Sequence, residues 1–168
     1  FLRRKLGALF PAAMRRELEG EFAESGDEFL PGALVDAAID DTLGELPSSD
    51  KPAFAFIDLS RKRDLTSLVV VVREAGDRLV AASVQTWNPR ESPTGETPFA
   101  DVRAVLDGLP TRFRRLEKLV IEAGAEVGAI GPWARQHPRL SGIVSEFQSS
   151  AQSNMAMLPS LLALLRPR

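Results

Sequence analysis

The sequence predicts an α/β domain on a mixed sheet: a three-strand antiparallel meander, then parallel strands with helices on the faces, the whole preceded by a short helical segment. Three observations predict it. Apolar residues recur at helical spacing as far as about residue 46, extended Val-rich runs with short polar turns follow from residue 53, and single strands then alternate with amphipathic helical stretches.

Taken in order, Met14, Leu18 and Phe22 recur at four-residue spacing among Arg15, Arg16, Glu17, Glu19 and Glu21, which puts the apolar three on one helical face. A second helix is expected over Pro31 to Leu43, where Pro31 suits a first turn and Leu34, Val35, Ala38 and Ile39 are apolar. Pro47-Ser48-Ser49-Asp50-Lys51-Pro52 has the composition of a linker. The domain reading is a helical segment over 1–46, a linker over 47–52 and the α/β domain over 53–168.

Beyond the linker the period turns extended. Ala53 to Leu59 is a short apolar run with Asp58 near its end, Leu65 to Arg73 contains Val69 to Val72, and Arg78 to Trp87 keeps Leu79, Val80, Val84 and Trp87. Glu74-Ala75-Gly76-Asp77 is a compact turn signal that makes the last two a hairpin, and Ser60 to Asp64 is a wider turn. A Pro- and Gly-bearing loop spans Asn88 to Pro98. In Phe99 to Arg115, Phe99, Val102, Val105, Leu106 and Leu109 fit an amphipathic helix that Pro110 should end or kink. Leu116 to Ile121 reads as a fourth strand, Val127 to His137 as a helix containing Pro132, Ile143 to Phe147 as a fifth strand and Asn154 to Leu165 as a last helix. Right-handed crossovers would set the later strands parallel to the first.

Composition narrows the chemistry. The 168 residues carry 21 Lys plus Arg against 23 Asp plus Glu, a near-neutral balance that argues neither for nor against a nucleic-acid partner, because a catalytic groove needs only a local basic lining. With no Cys there is no disulfide, no Cys-type zinc site and no thiol nucleophile. With a single His, a His-rich metal site is excluded, so any metal would sit on carboxylates. The longest apolar runs, Leu68 to Val72 and Met155 to Leu165, are too short to span a bilayer. The basic and apolar opening FLRRKLGALF begins with Phe and lacks a signal-peptide cleavage pattern, and it is read as the start of an excised piece of a longer protein.

Two acids stand where acids are awkward. Asp58 closes a buried apolar strand, and Glu122 closes Leu119-Val120-Ile121 just before the small-residue turn Ala123-Gly124-Ala125. A charge beside a hydrophobic core costs free energy unless it is paired or bound to a cation. If the fourth strand lies parallel to the first, both acids emerge at the carboxyl edge of the sheet, where open α/β sheets place their sites. Two hard oxygen ligands together suit Mg²⁺ or Mn²⁺, and a two-ion site would stabilise both attacking and leaving oxygens in phosphodiester cleavage. The alternative from pattern alone is that Asp58 caps its turn and Glu122 is solvated.

A meander, helix, strand, helix, strand and helix, with acids on the first and fourth strands, is similar to the ribonuclease H-like fold. Ile57-Asp58-Leu59-Ser60, followed by Asp64-Leu65-Thr66-Ser67-Leu68 and a run of Val, resembles the start of the nuclease domain of the large terminase subunit of tailed bacteriophages. Met14 to Phe22 and Asp27 to Pro31 resemble the segment leading out of the terminase ATPase domain, and Val144-Ser145-Glu146-Phe147-Gln148-Ser149 the family's late strand and its Gln-bearing turn.

The resemblance implies a DNA endonuclease that cuts concematemeric viral DNA during packaging, with Asp58 and Glu122 as metal ligands and Asp64 in a supporting role. It also implies double-stranded DNA, portal and small terminase subunit as partners, and the cytoplasm of a bacterial host as location. Asp64 has an equally local reading, holding the hairpin through backbone hydrogen bonds. No G-x-x-x-x-G-K-[ST] sequence occurs, so the packaging ATPase is not in this chain. The third acid and the C-terminal elements are expected beyond Arg168, which would leave this piece weak or inactive alone.

Arg61, Lys62 and Arg63, at the first turn, are candidates for DNA phosphates, with a solvated turn as the plain alternative. Arg112, Arg114, Arg115 and Lys118 form a denser basic cluster; Trp87 and Trp133 suit either base stacking or the core; His137 reads as a surface helix end. Two rival readings remain. One is a fragment of an actin, sugar-kinase or Hsp70-like ATPase, which the absence of Gly in Ser60 to Asp64 opposes, and the other is a catalytically inert ribonuclease H-like domain.

Overall fold

The computed structural model describes residues 36–39, 42, 44–124, 127–150, 153, 156 and 157. The helix expected around Met14 to Phe22, and most of those expected over Pro31 to Leu43 and Asn154 to Leu165, lie outside the described residues. Gly44–Met155 is one of the two compact units into which the chain divides, and it holds the whole sheet.

Five strands form that sheet: β1 (Ser49–Asp58), β2 (Thr66–Arg73), β3 (Leu79–Trp87), β4 (Phe113–Glu122) and β5 (Val144–Phe147), with helix α1 (Phe99–Arg112) before β4 and helix α2 (Val127–Gln136) before β5. Their order across the sheet is β3-β2-β1-β4-β5. The first three are antiparallel, while β4 runs parallel to β1 and β5 parallel to β4. The expected meander and the expected parallel additions are therefore both present.

The chain reverses tightly between β2 and β3 because Gly76 and Asp77 both take positive φ, 71° and 58°. Glycine adopts that conformation without a Cβ penalty, and a short Asp tolerates it. Glu74 N–H donates to the Arg78 carbonyl at 2.7 Å and closes the turn.

Burial alternates strictly along β2, with Thr66, Leu68, Val70 and Val72 buried and their neighbours less so. The buried set joins Ala53, Ala55 and Ile57 of β1 and Leu119 and Ile121 of β4 in one core with Val102, Leu106 and Leu109 of α1 and Ile130 and Ala134 of α2. This is the period-2 signature of strands pressed against helices on one face. Trp87 and Trp133 pack against this core, so both fall on the core side of their two readings.

Three boundaries differ from expectation. β1 starts at Ser49 rather than Ala53 and takes in the last four of the six residues read as a linker; Ser49 and Pro52 pair with Phe113 and Arg115 of β4, and the ladder shifts register between them, where Pro52 has no N–H to give. Pro110 does not end α1, which continues to Arg112, because a proline in the last turn forfeits a single backbone bond. β4 then starts at once, at the fully buried Phe113, whose N–H caps the helix on the Leu109 carbonyl.

Candidate active site

Strand directions decide what meets at each edge. β1, β3, β4 and β5 all end at one edge, where β2 begins, so Asp58, Glu122, Thr66, Trp87 and Phe147 share it. Ile57 pairs with Ile121 across the parallel ladder, and both are fully buried on the helical face. The next residues, Asp58 and Glu122, therefore turn to the opposite face side by side on strands about 4.8 Å apart. A one-residue slip of either strand would bury a carboxylate under the helices.

The two carboxyls stand side by side and interact. A hydrogen bond with Asp58 is the main cause that holds the Glu122 carboxyl above its ordinary value; partial burial and the Asp58 charge push the same way, and a hydrogen bond with Ser149 opposes them. Like charges that close cannot both ionise freely, and a cation between them would relieve the repulsion. That is the fit expected of a divalent-ion site made of carboxylates. Among the described residues no third acidic or imidazole group joins the pair.

Ser149 is the contact that sequence reading leaves without a role. The β4–β5 ladder runs to its end, with Glu122 paired to Phe147 and Ala123 N–H donating to the Phe147 carbonyl at 2.6 Å, and this brings the turn after β5 beside Glu122. In the sequence this turn is marked only by its resemblance to the family's Gln-bearing turn.

The turn after Asp58 is fixed by hydroxyls. Thr66, fully buried, receives the Ser60 N–H on its Oγ1 at 3.0 Å and donates to the Ser60 carbonyl at 2.9 Å; Thr97 Oγ1 donates to the same carbonyl at 2.6 Å. Thr97 N–H reaches the Arg61 carbonyl at 2.8 Å, so the loop before α1 is fastened to this turn. Asp64 N–H donates to Ser60 Oγ at 3.0 Å, and its exposed side chain lines a cleft with Arg63, Leu65, Asn88 and Arg90 rather than meeting Asp58 and Glu122.

The basic candidates divide. Arg61 and Lys62 both pair with Glu96, at 2.9 and 3.0 Å, and hold that carboxyl below its ordinary value. Arg63 stands at the cleft. Arg112 reaches the Pro47 carbonyl at 3.0 Å and Glu45 at 3.5 Å, Arg114 pairs with Asp50 at 3.6 Å and Arg115 with Glu117 at 3.5 Å. These three lie at the α1–β4 junction and the start of β4, hence about 23–33 Å along the chain from Glu122 at the strand's end. His137 Nε2 meets Asp107 Oδ1 at 2.7 Å and joins the end of α2 to α1 at that same far edge.

Strand order, strand directions and the strand-end acids define a ribonuclease H-like α/β domain. No protein-family model matches the sequence, and no curated protein matches it. Among solved structures the chain is similar to the large terminase of bacteriophage HK97, at 15% identity over 82% of this chain and 32% of that one, with a TM-score of 0.50. It also aligns with RuvC of T. thermophilus, solved in complex with a Holliday junction substrate, at 19% identity over 69% of this chain and 83% of that one, with a TM-score of 0.40. The chain thus spans 32% of the length of the terminase it resembles, and the likeness to a phage large terminase exists at the level of the fold.

Proposed function

We propose that this domain is a metal-dependent endonuclease that hydrolyses phosphodiester bonds in double-stranded DNA, of the kind by which large terminase subunits cut concatemeric viral DNA during genome packaging. The observation that carries the reading is the Asp58–Glu122 pair: two carboxyls side by side at the carboxyl edge of adjacent parallel strands, with Asp58 holding the Glu122 carboxyl above its ordinary value. The similarity in fold to a terminase supports it.

Asp58 and Glu122 would hold Mg²⁺ or Mn²⁺, which supplies Lewis-acid polarisation of a phosphate oxygen and a more acidic bound water. Ser149 orients Glu122, and the Ser60–Thr66–Thr97 hydroxyl network fixes the turn that leaves Asp58. A two-ion form of the site needs a third acid from outside the described residues, and Asp64 supports the site from the adjacent turn. In the same reading, residues 1–46 lead out of an ATPase domain, portal and small terminase subunit are partners of the larger protein, and the bacterial cytoplasm is its location. Among the described residues no helix is long and apolar enough to cross a membrane.

Asp58→Asn, introduced into the intact protein, tests the reading on supercoiled plasmid with Mn²⁺. Cleavage should fall at least ~100-fold, the scale of losing one electrostatic stabiliser of a transition state, with the circular dichroism spectrum unchanged. Undiminished cleavage by the Asn variant rejects the assignment. ATP binding by calorimetry would instead favour the kinase-like alternative, and a folded wild type that binds no Mn²⁺ at millimolar concentration would favour the inert one.

A further inference from the structure

The turn after β1 and the loop after β3 enclose a cleft of about 230 Å³ lined by Arg63, Asp64, Leu65, Asn88 and Arg90. One water needs only ~10–15 Å³ of such space, so a phosphate group with its water fits. Two guanidinium groups and one carboxylate leave the lining net positive.

The neighbouring charges sharpen the contrast. Arg61 and Lys62 share the one carboxylate of Glu96, so both are held in ion pairs and the three groups together keep a single net positive charge. Glu91 adjoins Arg90 in sequence and would be its natural partner, but Asn88 Nδ2 holds the Glu91 carboxylate at 2.9 Å, and Asn88 Oδ1 accepts the Arg90 N–H at 3.1 Å. Asn88 therefore fixes the short helical turn Pro89–Glu91. Among the described residues neither Arg63 nor Arg90 is in an ion pair, and Asp64 of the same lining is not within pairing distance of either.

Position completes the argument. Thr66 pairs with Trp87, so the cleft caps the β2–β3 end of the edge that carries Asp58 and Glu122 at its β1–β4 end. The two sites are about two strand spacings apart, ~10 Å, a distance covered by roughly three nucleotides of rise along one DNA strand. Arginine is suited to this task because its planar fork meets phosphate oxygens in pairs.

We propose that Arg63 and Arg90 form a two-arginine clamp for the DNA phosphate backbone, which sets where the strand lies relative to the carboxylate pair. The proposal rests on the nuclease reading for its ligand, but the clamp itself needs no metal. Binding of a fluorescent 20-base-pair duplex to the 168-residue protein, measured in EDTA across a NaCl series, separates the two.

Arg63→Gln and Arg90→Gln should each weaken binding about tenfold at moderate salt and lower the slope of log K against log [NaCl] by about 0.9, the loss of one phosphate contact. Arg63→Lys should keep the slope, Asp64→Asn should tighten binding, and Arg61→Gln should change the slope less than Arg63→Gln does, because Glu96 already engages that guanidinium. An unchanged slope in the folded Arg63→Gln, Arg90→Gln double variant overturns the clamp. If that happens while Asp58→Asn still abolishes plasmid cleavage, the clamp falls and the nuclease reading stands. If the slope falls as expected but the intact protein also cuts nothing with Mn²⁺, the clamp stands and the nuclease reading falls.

Discussion

Glu122 bears the electrostatic cost of the acid pair. Its carboxyl is raised in the folded protein, first by the hydrogen bond with Asp58, so the fold binds a proton there more tightly than the unfolded chain does. By linkage, the stability from this group is fully present below its ordinary value of 4.5 and is lost as pH rises through the raised folded value. Glu122→Gln, which removes the charge and keeps an amide that can still donate to Asp58, should therefore raise the unfolding midpoint of the metal-free protein at pH 7.5. At pH 4 it should raise it little. Thermal melts at the two pH values check this, and an equal effect at both would mean that the carboxyls do not repel. Mn²⁺ should raise the wild-type midpoint at pH 7.5 and raise that of the variant far less, since one ligand oxygen charge is gone. The strand-end acids are legible in the sequence because a carboxylate at the close of an apolar run has few inexpensive explanations. Ser149 is not legible as a contact, because only the length of the β4–β5 ladder brings its turn beside Glu122.

At the scale of elements, the turn after β1 shows where reading a sequence in order stops. Ser60 to Asp64 is legible as a polar turn and Leu65 to Arg73 as the strand that follows it, which the structure starts one residue later, at Thr66. That Thr97 and Glu96 fasten this turn is not legible, because they come from a loop over thirty residues further along the chain. The consequence is chemical as well as structural: Glu96 engages both Arg61 and Lys62 in ion pairs, which leaves Arg63 and Arg90 as the arginines of the cleft outside any ion pair among the described residues. Thr66→Val keeps the shape of the side chain and removes the hydroxyl that both accepts the Ser60 N–H and donates to the Ser60 carbonyl. Leaving a buried donor without a partner costs about 1–3 kcal/mol, so urea denaturation should show a loss of that size. Thr66→Ser should recover most of it, since Ser restores the hydroxyl. A Val variant as stable as the wild type would mean that water replaces these bonds and that the turn is not fixed by them.

Across the whole domain, the order β3-β2-β1-β4-β5 is legible because the Val-rich meander and the later strand-helix alternation allow few right-handed topologies. Where β1 begins is not, because Ser49 to Pro52 form a strand only through pairing with β4, which the local composition opposes. That same pairing sets the acid pair, so the sheet's two faces must differ in what they tolerate. Lys118 and Leu119 are adjacent on β4, Lys118 exposed and Leu119 fully buried beneath the helices. Leu119→Ala should cost about 2–5 kcal/mol, from lost burial plus the cavity left behind. Against a typical domain stability of about 5–15 kcal/mol this is a large fraction, and the loss should appear in a single cooperative transition. Lys118→Ala, one residue away on the other face, should stay within about 0.5 kcal/mol of wild type. Urea melts of both variants, followed by tryptophan fluorescence from Trp87 and Trp133 at the core, make the comparison direct. Equal costs at the two positions would mean that β4 is not covered on one face only, and with that the register that turns Asp58 and Glu122 away from the helices would lose its support.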